Sequence, residues 1–166
     1  MTAQERDLYF YEHLPHRINL LIAFRERYSG RNSMKTLRSE DFRDLFRCAK
    51  DIAMLMVRFF CWEVGLEIKR SQQHITPCLP RGSDYGATQA DLMLVSNDPR
   101  FDHLRLTIIA ANRAVAHIEP SAVDHAVTDP VLIDAIDLVY ELIKNHIYSP
   151  NQISLQDAMN RPNNRM

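Results

Sequence analysis

The sequence predicts an all-α protein, an up-and-down helical bundle of four to five main helices, on three observations. Long stretches repeat apolar residues every three to four positions, the period of a helix with 3.6 residues per turn. Two of them open on an Asp-Pro pair, Asp98–Pro99 and Asp129–Pro130. The carboxylate can cap free amides there, and proline occupies the first turn without losing a bond. No stretch shows the strict alternation of a half-buried strand. A chain of 166 residues suits one domain with a real core. Residues 1–150 are expected to form it, and the polar, proline-containing 151–166 to fray as a flexible C-terminal tail.

Taken in order, residues from Ala3 to about Tyr28 read as helix. Pro15 removes a backbone donor and clashes with the preceding turn, which predicts a short first helix up to about His13 and a second from Pro15 onward. Ser29 and Gly30 stop it, and the basic run 31–39 reads as a loop. Ser39, Glu40 and Asp41 then start a long helix, a hydroxyl cap followed by two acids at the positive end of the dipole. Its stripe runs Phe42, Leu45, Phe46, Ala49, Ile52, Ala53, Met56, Phe59, Phe60 and Glu63, and the added Met54, Leu55, Val57, Cys61 and Trp62 predict a C-terminal half buried on most sides. Arg43, Arg47 and Lys50 form a basic ridge on its first turns, read as a solvated face.

Residues 69–88 hold prolines and glycines without a period and predict a long connection. A short helix over Thr88–Val95 leads to Asp98. The amphipathic run from Asp129 predicts the last main helix, ending near Tyr148.

Composition excludes several classes. A net charge of −1 lacks the basic footprint of a protein that holds duplex nucleic acid mainly by charge, so no DNA partner is expected. No apolar run approaches a membrane span, and the N-terminus has no uninterrupted apolar region before a cleavage site, so the expected location is cytoplasmic. Cys48, Cys61 and Cys78 match no zinc spacing and read as reduced core thiols. Dinucleotide, P-loop, zinc-peptidase and α/β-hydrolase motifs are missing, and no cofactor is predicted. His103, His117, Glu119, Asp124 and His125 are the nearest thing to a metal set. None of them pair at helical spacing, and no metal is predicted.

The stretch Asp98–Glu119 organises the rest. Phe101, Leu104, Ile108, Ala111, Val115 and Ile118 make one core stripe, while Leu106, Ile109 and Ala110 make a second apolar patch continuing into Arg113 and His117. A helix apolar on two sides is either central in its bundle or turns one side to a partner subunit. Arg113 and His117 are four apart and therefore neighbours. A permanent cation beside an imidazole that titrates near neutrality suits gripping a phosphate and moving a proton. The same pair at a helix end can also simply satisfy carbonyls and the dipole.

Asn112–His117, NRAVAH, late in a helical bundle and followed by a turn and one last amphipathic helix, resembles the signature region of the HEPN superfamily. Its members are small, usually dimeric helical bundles among prokaryotic RNA-cleaving toxins, abortive-infection proteins and RNA-binding accessory domains. The resemblance implies a homodimer that engages RNA, with metal-independent cleavage at a site shared by two subunits. His117 would move protons at the ribose 2′-hydroxyl, Arg113 would bind the phosphate and Asn112 would support them. The motif is degenerate. With Asn112 on the family's polar residue and His117 on its His, Ala111 stands at the Arg position; with Arg113 on the Arg, Ala114 replaces the polar residue. The other reading is a non-catalytic interaction module with a protein partner, in which these residues only tie the helix end to its neighbour.

Overall fold

The computed structural model describes residues 2–28, 40–69, 73–116 and 127–161. The expected loop at 31–39, the Ser39 cap and the turn after the key helix lie outside them. The fold is mostly helical, as the periodicity predicts. Helix α1 (Ala3–Leu8) starts in a capping box: Glu5 N–H donates to the Thr2 hydroxyl at 3.2 Å and Thr2 N–H to the Glu5 carboxylate at 2.7 Å.

Pro15 does not break the chain into two helices. A π-helical turn, Tyr9–His13, joins α1 to α2 (Leu14–Ala23) without interruption, and a second one follows over Phe24–Tyr28. The wider turn moves the ladder to five residues, Leu14 N–H bonding Tyr9 O, which relieves the clash a proline causes with the carbonyl four back. The next bond of that ladder would run from residue 15 to Phe10 O, and Pro15 has no N–H to give. The Tyr148 hydroxyl, 138 residues away in sequence, donates to that carbonyl at 3.1 Å. Phe10 and Tyr148 are both fully buried, and burial pushes the phenol pKa up, which keeps the donor protonated.

Helix α3 (Glu40–Glu63) packs on α2 and α5. Ala53, Met54, Val57, Phe60 and Cys61 are buried and their neighbours half-buried, as expected of its C-terminal half. The stripe is narrower than predicted at its edges, with Leu45 51% and Ile52 38% exposed. Along the basic ridge Lys50 pairs with Asp129 at 3.6 Å and Arg47 is exposed. Of the thiols, Cys61 is a core residue, Cys78 is half-buried, and Cys48 is exposed, which corrects its reading as a core thiol.

Gly65, at φ +80°, turns the chain out of α3, and any Cβ there would stand 2.7 Å from Cys78 O. The chain does contain a strand pair, against expectation: β1 (Leu66–Glu67) and β2 (Thr76–Pro77) form an antiparallel hairpin, too short to show alternation. A 3₁₀ turn, Arg81–Tyr85, follows. The extended segment after it laces two helices together by main-chain bonds, Thr88 N–H to His146 O and Ala90 N–H to Val64 O, each 2.8 Å. Helix α4 (Leu92–Ser96) is capped by Asp91, whose carboxylate accepts from Met93 N–H at 2.8 Å.

Asp98 opens α5 (Phe101–Ala116) as predicted, accepting Arg100 N–H at 2.8 Å. The Arg100 guanidinium also grips the Asp98 carboxylate at 2.7 Å and reaches Glu141 of α6 (Asp129–Ile143) at 3.0 Å. Helix α5 packs most extensively against α6 and α3. Leu104, Ile108 and Ala111 are buried as the first stripe requires. In the second patch Ala110 is fully buried, while Leu106 and Ile109 are half-buried. After α6 a third π turn, Lys144–Tyr148, and a 3₁₀ turn, Ser149–Asn151, carry the chain to α7 (Leu155–Asn160). Within the stretch expected as a tail, Leu155–Asn160 are helical. Ser154 caps α7, Leu155 and Ala158 are buried, and the helix packs on the π turn at Tyr9–His13.

Tyr148→Phe should destabilise the fold by about 1–3 kcal/mol, because the buried Phe10 carbonyl then has no donor. An unchanged thermal midpoint would show that the carbonyl needs none. Arg100 holds the Asp98 carboxyl below the usual carboxylate range, first through its side-chain hydrogen bond. A depressed folded pKa contributes stability above the unfolded value of about 3.9 and loses it as pH falls through the folded one. The thermal midpoint of Asp98→Asn should therefore fall less between pH 5 and pH 3 than that of the wild type, and parallel pH profiles would refute this role.

Candidate functional site

The last turns of α5 carry the residues that the sequence singles out. Asn112 is half-buried and donates its side-chain amide to Ile68 O at 3.1 Å, fastening α5 to the chain just after β1. Arg113, the next residue, is half-buried and makes no hydrogen bond or ion pair among the described residues. His117, with Asp124 and His125, lies outside the described residues. Asn112 and Arg113 are thus adjacent on one helix, and the Asn112 amide is engaged with the Ile68 carbonyl rather than with Arg113.

His103 does not join that group. One of its ring nitrogens lies 2.7 Å from the Asp134 carboxylate, linking α5 to α6. Among the described residues no group of three or more His, Cys, Asp or Glu is placed to hold a metal ion.

A second concentration of chemistry surrounds the end of α3. Glu63 is 7% exposed and accepts a 2.6 Å hydrogen bond from the Tyr9 hydroxyl. Burial and the carboxylate together hold the phenol pKa well above its ordinary value. The Tyr9 ring stacks on Tyr85 at 3.8 Å between centres and 11° between planes. Gly82 allows this approach: a Cβ there would lie 2.9 Å from the Glu63 carboxylate and 2.7 Å from Ala87 Cβ. The group fastens the first π turn and the 3₁₀ turn to α3. Glu63 was legible as a carboxylate set in an apolar stripe; Tyr9 and Tyr85 carried no comparable signal. Beside them Arg58 and Arg81 both lie over the Trp62 ring, 4.0 and 4.2 Å from its centre. A shallow groove of about 520 Å³ lies elsewhere, lined by Asp7, Tyr11, Asp157, Asn160 and Arg161, far in sequence from the α5 residues.

Compared with known proteins, the chain matches no family model, no curated protein and no solved structure.

The Asn112 bond has a directional test. Asn112→Ala should cost about 1 kcal/mol through the lost hydrogen bond. Asn112→Asp should cost more at pH 7, since it sets a carboxylate against the Ile68 carbonyl. Equal thermal midpoints for the two variants would mean that the amide is not held by that carbonyl.

Proposed function

We propose that the protein is a HEPN-like up-and-down bundle that engages RNA as a homodimer through the C-terminal end of α5. The observation that carries this reading is Arg113, half-buried at the end of the central helix with no hydrogen bond or ion pair among the described residues, beside an Asn112 already anchored. A guanidinium held in this way is suited to bidentate contact with a phosphate. His117, four residues on in the sequence, supplies a group that can take and return the proton of a ribose 2′-hydroxyl. The half-exposed Leu106 and Ile109 are what α5 itself offers a second subunit.

The non-catalytic reading, a helical module that binds another protein, is favoured by a specific observation too. Asn112 is occupied by an intramolecular bond, and Ala110 is covered by the chain's own helices. Ala111 at the family's Arg position agrees with it.

Purified protein should cut single-stranded RNA in the presence of EDTA, and His117→Ala should lower the rate by about 10²–10⁴ while leaving the thermal midpoint nearly unchanged. Arg113→Ala should act likewise, and Arg113→Lys should rescue only partly, since a point charge does not replace a planar fork. Activity that survives His117→Ala refutes the assignment. Inert wild type, together with a large loss of stability in His117→Ala, gives the residue to the structural reading. Light scattering at micromolar concentration should report a dimer, and a monomer would remove the shared site.

A further inference from the structure

Away from α5, a run of arginines and aromatic rings crosses three elements. Arg17 of α2 lies over the Phe59 ring of α3 at 4.8 Å, and Arg58 of α3 and Arg81 of the 3₁₀ turn lie over Trp62 at 4.0 and 4.2 Å. Phe59 and Trp62 are three apart on α3, and Arg58 and Trp62 are four apart, so these side chains are neighbours on one helix face. Both rings are half-buried, Arg81 is exposed, and Arg17 is half-buried.

Neither Arg17 nor Arg81 has a carboxylate partner among the described residues, although Asp84 is only three residues from Arg81. Cations placed on aromatic rings rather than on acids keep their charge available to an anion from outside. A ligand matching this surface has negative charge at intervals and flat faces between the charges. Unpaired nucleotides have both, phosphates for the guanidiniums and bases that stack on rings or on guanidinium planes. Base-paired duplex hides those flat faces, and the low overall charge of the chain gives it no other hold on a duplex.

We propose that the face formed by Arg17, Phe59, Arg58, Trp62 and Arg81 binds single-stranded nucleic acid by stacking and phosphate contact, without regard to the sugar. No residue of it belongs to the Arg113 and His117 site, so it stands apart from that reading. The carrying interaction can be observed directly, because Trp62 is the only tryptophan of the chain.

The full-length protein would be titrated at low salt with an oligodeoxythymidylate of about fifteen nucleotides, the upper range of such binding sites, while tryptophan fluorescence is followed. This probe has no 2′-hydroxyl, so it reports on the face whether or not the chain cleaves RNA. Saturable quenching is expected, weakening with added salt, and oligouridylate should give the same. Arg81→Ala and Arg17→Ala, both surface changes checked for folding by circular dichroism, should each weaken binding about ten-fold. Lys144→Ala, which removes an exposed charge elsewhere, should change it little. The proposal is overturned by the absence of quenching, by equal quenching with a duplex of the same length or with heparin, or by wild-type affinity in both arginine variants.

Discussion

Helix α5 packs most extensively against α6 and α3, and two small residues of it, Ala110 and Ala111, have no exposed surface. Small side chains let helix axes approach closely, and larger ones there would force α3 and α6 apart. The buried Thr107 completes the same contact, its hydroxyl donating to His103 O at 2.8 Å so that no polar group is left unpaired. Around this axis the other elements are fastened by polar links that each join α5 or α3 to another segment. Arg100 reaches Glu141, His103 meets Asp134, Asn112 holds Ile68 and Tyr9 holds Glu63. Apolar burial supplies the driving force, and these links choose which packing it produces.

The architecture was readable where periodicity runs unbroken. Helices α3, α5 and α6 sit where their apolar stripes put them; Asp98 accepts an amide in the turn that leads into α5, whereas Asp129 lies inside α6, with Thr128 at the cap position and no side-chain cap bond. The first helical stretch was readable in its extent, Ala3 to about Tyr28, but not in its continuity through Pro15, because each π turn adds a residue to the ladder and shifts the apolar positions after it. The spacing between Leu8, Tyr11 and Ile18 therefore looks irregular although the helix never stops. Helix α7 was missed among polar residues, yet it had a local signature: Ser154 three before Asp157, ahead of Leu155 and Ala158 on one face. The two-residue strands offer nothing for a pattern to register.

Site chemistry was legible to a different degree. Residue type and spacing single out Asn112 and Arg113, and the geometry adds what sequence cannot carry, the carbonyl that Asn112 meets. The apolar patch of Leu106, Ile109 and Ala110 shows the opposite case. Sequence allowed a central helix or a subunit contact, and the burial divides the patch, with Ala110 inside the chain and Leu106 and Ile109 half-buried. The clustering around Trp62 was invisible beforehand because Arg17 and Arg81 reach it from segments on either side of α3 in the chain. Such long-range meetings leave no local trace.

The Phe10 carbonyl and the Tyr148 hydroxyl also set an order of events during synthesis. Phe10 leaves the ribosome 138 residues before its donor. Until the end of α6 arrives, water must satisfy that carbonyl, and α1 and α2 cannot be sealed against the core without stranding it. The helix that carries Phe10 is thus made well before it can be locked. A nascent chain halted inside α6 would keep the segment around Phe10 open to chaperones and proteases, and release would close it and the turn that carries Tyr148 in one step.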